Sequence, residues 1–170
     1  MTAAPQLPIG VINRSLQDRF SSLLSGGPFN QAGAAGNNSY GGVYNNATDG
    51  SVLRIYAVSL YTSVVSFVFL EWVSGNPGTL YTTESPYGPI DPFTHTTPGQ
   101  MIAFNSAVCL GSHLGKIVVN PTTGATYAPG WPLAIIPPGY SFLCQAKNSN
   151  LGLEGAIWWL PVPGPLSVRV

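Results

Sequence analysis

Charge is what this chain has least of. Six basic and six acidic side chains stand among 170 residues, 7% charged in all, and the formal net charge at pH 7 is zero. An ordinary soluble domain carries about 25%. The six Lys and Arg are scattered, so there is no basic stripe to neutralise phosphates, and nucleic acid is not expected as a partner. The N-terminal arm offers only Arg14 and Arg19, partly balanced by Asp18. Histidine and cysteine are equally scarce, two of each. Cys109 and Cys144 show no metal-ligand spacing with His95 or His113, so no metal or cofactor is expected. The two thiols read as buried and reduced, with a disulfide as the alternative. Catalysis lacks its groups. Asp91 and His95, four apart, are the one pairing of note, and neither a nucleophile nor an oxyanion site accompanies them. His113 reads as a turn histidine. Phosphate-loop, dinucleotide and zincin motifs are missing, and no enzymatic role is expected.

Long apolar runs are missing too. None reaches about 18 residues, so no transmembrane helix and no membrane partner are expected. Met1-Thr2-Ala3-Ala4-Pro5 has neither a charged n-region nor an apolar h-region, so an unprocessed chain made in the cytoplasm is the expectation.

What is present is apolar and turn-forming: 45% hydrophobic residues, with 20 Gly and 16 Pro. A chain that covers itself with Ser, Thr, Asn and Gly instead of charge is expected to bury much of its surface against other subunits. Residues 1–12 read as an extended arm. Leu16, Phe20, Leu23 and Leu24 fall at i, i+4, i+7 and i+8, the stripe of a short amphipathic helix over residues 15–25, ended by Gly26-Gly27-Pro28. That stripe packs either on its own domain or on a neighbour, and the second makes it a docking element. Residues 26–42 are glycine-rich and uncharged and read as a flexible linker. The expected division is therefore an arm, helix and linker over 1–42 and a β domain over 43–170.

Asn45 to Gly50 is a turn cluster, followed by strands at Val52–Tyr61 and Val64–Val73, rich in β-branched and aromatic residues. In the first, Val52, Arg54, Tyr56, Val58 and Leu60 share one face by alternation, and Leu53, Ile55 and Ala57 the other. Residues 74–100 form a long Pro/Gly-rich loop, expected to be an exposed contact element. Further strands are expected at Met101–Leu110 and Ile117–Val119, then a loop over Thr122–Pro132. Pro137-Pro138-Gly139 turns the chain. Tyr140–Ala146 and Leu151–Leu160 then read as a terminal hairpin, stopped by Pro161 and Pro163. Trp158 and Trp159 fall on opposite faces of its last strand, one filling the core and one free to meet another subunit. Tyr81, Tyr87, Phe93 and Trp131 fall in loops, where they form either small local cores or stacking platforms for a glycan. Seven or eight short strands with Gly/Pro turns predict an antiparallel β-sandwich of jelly-roll type.

From about residue 40 to 162 the layout resembles small structural proteins of tailed bacteriophages. The resemblance is carried by the turn Asn45–Ser51, the strand pair within Leu53–Val73, Pro137–Gly139, the Asn148–Asn150 reversal and Trp158-Trp159. Leu160-Pro161 departs from it, since an acidic residue often follows the Trp in such proteins. The resemblance implies a non-enzymatic virion component made in the host cytoplasm. Its expected place is the capsid surface as a decoration or cement protein, with the major capsid protein and copies of itself (a homotrimer) as partners. A carbohydrate- or receptor-binding module of a tail or head fibre is the alternative.

Overall fold

A computed structural model describes residues 24–80 and 98–164. Among them the chain forms eleven strands and no helix. Five make one antiparallel sheet, called here the small sheet: β1 (Ser25–Gln31), β11 (Leu153–Val162), β3 (Val52–Tyr61) and β8 (Ala125–Tyr127) in that order, with β9 (Ala134–Ile136) also on β3. Six make the large sheet, ordered β5 (Thr79–Leu80), β6 (Gln100–Ser106), β2 (Asn38–Tyr44), β10 (Tyr140–Ala146), β4 (Ser66–Ser74) and β7 (Ser112–Val119).

The two sheets bury one apolar core between them. The small sheet supplies Phe29, Leu53, Ile55, Val58, Leu60, Leu153, Ile157 and Trp159, and the large sheet supplies Val43, Val68, Leu70, Met101, Phe142 and Cys144. Alternation explains most of it, because successive strand residues point to opposite faces. In β3 it needs one correction. Trp158 stands opposite Ala57 but Trp159 opposite Ile55, so Tyr56 is the extra residue of a bulge. The bulge changes the parity, and Leu53 and Ile55 share the inner face with Val58 and Leu60.

The glycine-rich stretch is not a linker. Residues 25–31 and 38–44 are β1 and β2, one in each sheet, so the sandwich already includes Ser25. The glycines are there for space. The Phe29 ring occupies the room that a Cβ on Gly41 of β2 or on Gly155 of β11 would take. Glycine inside a strand often marks such a close approach. Pro28 is tolerated because β1 lies at a sheet edge and needs no second ladder. The expected helix over 15–25 ends wrongly as well: Leu24 has no regular structure and Ser25 opens β1. Leu16, Phe20 and Leu23 lie outside the described residues.

The terminal hairpin is also corrected. β10 pairs with β2 and β4, whereas β11 pairs with β1 and β3, so residues 147–152 carry the chain from one sheet to the other. Asn150, at φ 67°, anchors that passage: its side chain accepts from the Gly36 N–H at 2.6 Å and its own N–H donates to Asn37 O. Pro161 does not end β11. It pairs opposite Leu53, beyond Ser25, where the β1 pairing stops, so its missing N–H costs no ladder bond on that side. Pro137–Gly139 turns as expected, with Gly139 at φ 79°. Asn45 ties this turn to the 45–51 turn. Buried, its amide donates to Ser51 O and Ile136 O, and its carbonyl oxygen accepts from the Ala47 N–H.

Candidate functional site

The outer face of the large sheet carries a second, smaller cluster. Tyr40, Ile102 and Leu143 are buried there, with Tyr44, Val73, Phe104 and Leu110 packed against them. The cover is the connection from β6 to β7. Those strands are separated in the sheet by β2, β10 and β4, and residues 107–111 bridge them as a strap. The Tyr40 hydroxyl donates to Val108 O at 2.9 Å, and its ring stacks on Phe104 at 4.8 Å. Burial, then the Glu71 charge, raises the Tyr40 pKa well above the tyrosine range.

Glu71 stands at the β7 end of the strap. It is a fully buried carboxylate within an otherwise apolar run of β4, Phe-Val-Phe-Leu-Glu-Trp-Val. A buried carboxylate is retained only with partners, and Glu71 has three. His113 Nε2 lies 3.0 Å from Oε1, Cys109 Sγ lies 3.3 Å from the same oxygen, and the Gly111 N–H donates to Oε2 at 3.3 Å. Cys109 Sγ and His113 Nε2 are themselves 3.3 Å apart. A bulge creates this meeting. Leu70 faces Gly115 but Glu71 faces His113, so Leu114 is the extra residue of β7 and the imidazole is re-aimed onto the carboxylate. The imidazole also stacks on Phe69, at 4.4 Å between ring centres and 9° between planes. Burial, then the hydrogen bond to Glu71 and its charge, push the Cys109 thiol up.

Sequence reasoning missed this constellation. Cys109 was expected on a strand and buried; it is exposed, on the strap. His113 was expected in a turn, and it lies on β7, which starts at Ser112 and not at Ile117. A signal was present: one acid inside an apolar strand, and a Cys-x-x-x-His spacing far along the chain. Spacing alone does not show that a strap crosses the intervening strands.

The residues singled out from the sequence do not converge. Trp159 is enclosed by its own chain and donates from Nε1 to Pro98 O at 2.9 Å. Trp158, on the opposite face against Gly26, is half-buried. Trp131 is 65% exposed in the connection between β8 and β9. Tyr81, Tyr87, Phe93, Asp91 and His95 lie outside the described residues. Cys144 and Cys109 are both free, and Cys144 is buried in the core.

No helix among the described residues is long and apolar enough to cross a membrane. No family model matches this chain, and neither does any curated protein or solved structure.

Proposed function

We propose that this chain is a non-catalytic jelly-roll subunit of a virion shell, a decoration or cement protein that works in contact with copies of itself and with a major capsid protein. The observation that carries the reading is the surface. Among the described residues the exposed charges are Arg54, Lys116, Lys147, Asp49 and Glu154, since Glu71, the remaining acid, is buried. Large apolar side chains stand in the open instead, among them Val64, Val65, Trp72, Val118, Trp131 and Ile135. Exposed apolar surface with so little charge suits a subunit that is covered in its working state. Neutral polar contacts also avoid the cost of desolvating charge.

The strand order supports the jelly-roll part of the reading. With β5 and β6 set aside as an insertion at one edge and β8 and β9 taken together, the chain crosses between the sheets at every step but one, from β4 to its neighbour β7 in the large sheet, and the strands fall into two quartets. β1, β11, β3 and β8/β9 make one, and β2, β10, β4 and β7 the other. Such folds serve viral capsids and lectins alike, so the fold alone does not decide the function. The phage resemblance of the sequence supplies the virion, and a trimer is the proposed local state.

Sedimentation of the purified chain, alone and with candidate capsids, tests this. The expected result is a discrete oligomer that co-sediments at fixed stoichiometry, little changed between low and high salt because few charges take part. A chain that stays monomeric and ignores every particle overturns the reading. Removal of residues 1–23, which leaves β1 intact, is expected to keep the fold and abolish docking, with Leu16, Phe20 and Leu23 as the docking element. A second reading, a glycan-binding fibre module, is favoured by Trp131 alone. It expects glycan binding that Trp131→Ala removes, and silence on a glycan array counts against it.

A further inference from the structure

We propose that Glu71, Cys109 and His113 bind one divalent ion of the zinc class, which clasps the strap over the large sheet and keeps its fourth position open to water. The inference is independent of the virion reading, because it rests on three donor atoms of one chain.

The geometry of convergence carries it. Glu71 Oε1, Cys109 Sγ and His113 Nε2 form a nearly equilateral triangle with sides of 3.0, 3.3 and 3.3 Å. Zinc bonds of about 2.0–2.2 Å to oxygen and nitrogen and about 2.3 Å to sulfur, at tetrahedral angles, place such donors roughly 3.3–3.6 Å apart. The triangle therefore has to open by only a few tenths of an ångström. The two donors that must move stand where movement is easy: Cys109 is on the exposed strap, and His113 is 46% exposed on an edge strand.

The same geometry argues against a thiol–imidazole–carboxylate catalytic relay. Such a relay places the nucleophile on one ring nitrogen and the orienting acid on the other. Here sulfur and carboxylate both address Nε2. Lone-pair atoms of oxygen, sulfur and nitrogen converge on one point. A cation satisfies all three at once; the thiol releases its proton to solvent on binding.

The donor set also selects the ion. One thiolate, one imidazole and one carboxylate suit zinc or cobalt and not calcium or magnesium, which take oxygen. Three protein ligands with one side open to solvent match a site with a free coordination position. The surroundings hold the donors in place. The Gly111 N–H engages Oε2 and leaves Oε1 for the ion, and Phe69 sets the plane of the imidazole.

The test uses the full chain, stripped with a chelator and titrated with zinc chloride or cobalt chloride. One ion per chain is expected. Cobalt should give a thiolate charge-transfer band in the near ultraviolet and the strong visible bands of a tetrahedral site. At about 100-fold excess over Kd, zinc is expected to raise Tm by about 5–10 °C. Cys109→Ser should remove the charge-transfer band, and His113→Ala should weaken binding at least tenfold, as second-shell losses alone reach 10–100-fold. Both residues are exposed, so both variants should keep the far-ultraviolet spectrum of the parent. His113→Cys, which supplies another ligand at the same place, should restore binding, and Ile135→Ala, at an exposed position on the small sheet, should leave it intact. Absence of stoichiometric binding overturns the proposal and leaves a hydrogen-bonded cluster only. Binding unchanged in both Cys109→Ser and His113→Ala overturns it as well.

Discussion

The two faces of the large sheet are held by different physics. Its inner face meets the small sheet through a broad apolar interior in which Trp159, Phe29, Phe142 and the aliphatic residues of β3 interlock. Its outer face is covered by a five-residue strap over a small cluster, pinned by directed polar contacts from Tyr40 and Glu71. Apolar burial is redundant and non-directional, so the inner face sets the stability of the whole. The strap depends on a few bonds, each worth about 1 kcal/mol, so it is the place where the molecule can open locally or respond to a ligand.

The largest effect expected from breaking this contrast is on the inner face. Trp159→Ala should cost about 3–5 kcal/mol in denaturant unfolding, since it empties the centre of the core and leaves Pro98 O without its donor. Next is the packing of Phe29 between two glycines. Gly41→Ala should cost about 1–3 kcal/mol by overpacking, and Phe29→Leu in the same chain should recover part of that loss, because the two positions touch.

A pH series separates the faces by another route. Burial raises the Cys144 thiol far above its ordinary value of 9.0. Above pH 9 the unfolded chain therefore sheds a proton that the folded chain keeps. Stability is at its full value below about pH 9 and falls as pH rises, by about 1.4 kcal/mol per unit for this one group. Cys144→Ala should flatten that part of the profile. Tyr40, also raised, adds to the slope above its ordinary 10.0. The smallest effect belongs to the strap. Tyr40→Phe should cost about 1 kcal/mol globally, yet speed amide exchange across residues 107–111 well beyond that of β10. Equal acceleration in both places would merge the two faces into one cooperative unit.

Much of the sandwich was legible in the chain. Val52–Tyr61 and Tyr140–Ala146 are the strands that β-branched and aromatic alternation predicts, with the predicted bounds. Trp158 and Trp159 do lie on opposite faces, because parity along a strand is local. β1 and β2 were not legible, since glycine in a strand looks like a linker until the ring that fills its space is known. β7 was missed for a related reason: its first residues are exposed and polar, and only pairing with β4 makes them a strand.

Composition and local pattern alone determined that the described part of this chain is all-β, poor in charge and made of short strands with proline and glycine turns. Those properties follow from side-chain chemistry and near-neighbour sterics, which any stretch of sequence carries with it. Only the tertiary structure decided which strands share a sheet, and that β10 and β11 part company. It also decided that Glu71, Cys109 and His113 meet at one point. Such contacts join residues 38 positions or more from Glu71, and their formation depends on a strap, a bulge and the order of strands, which no local pattern encodes.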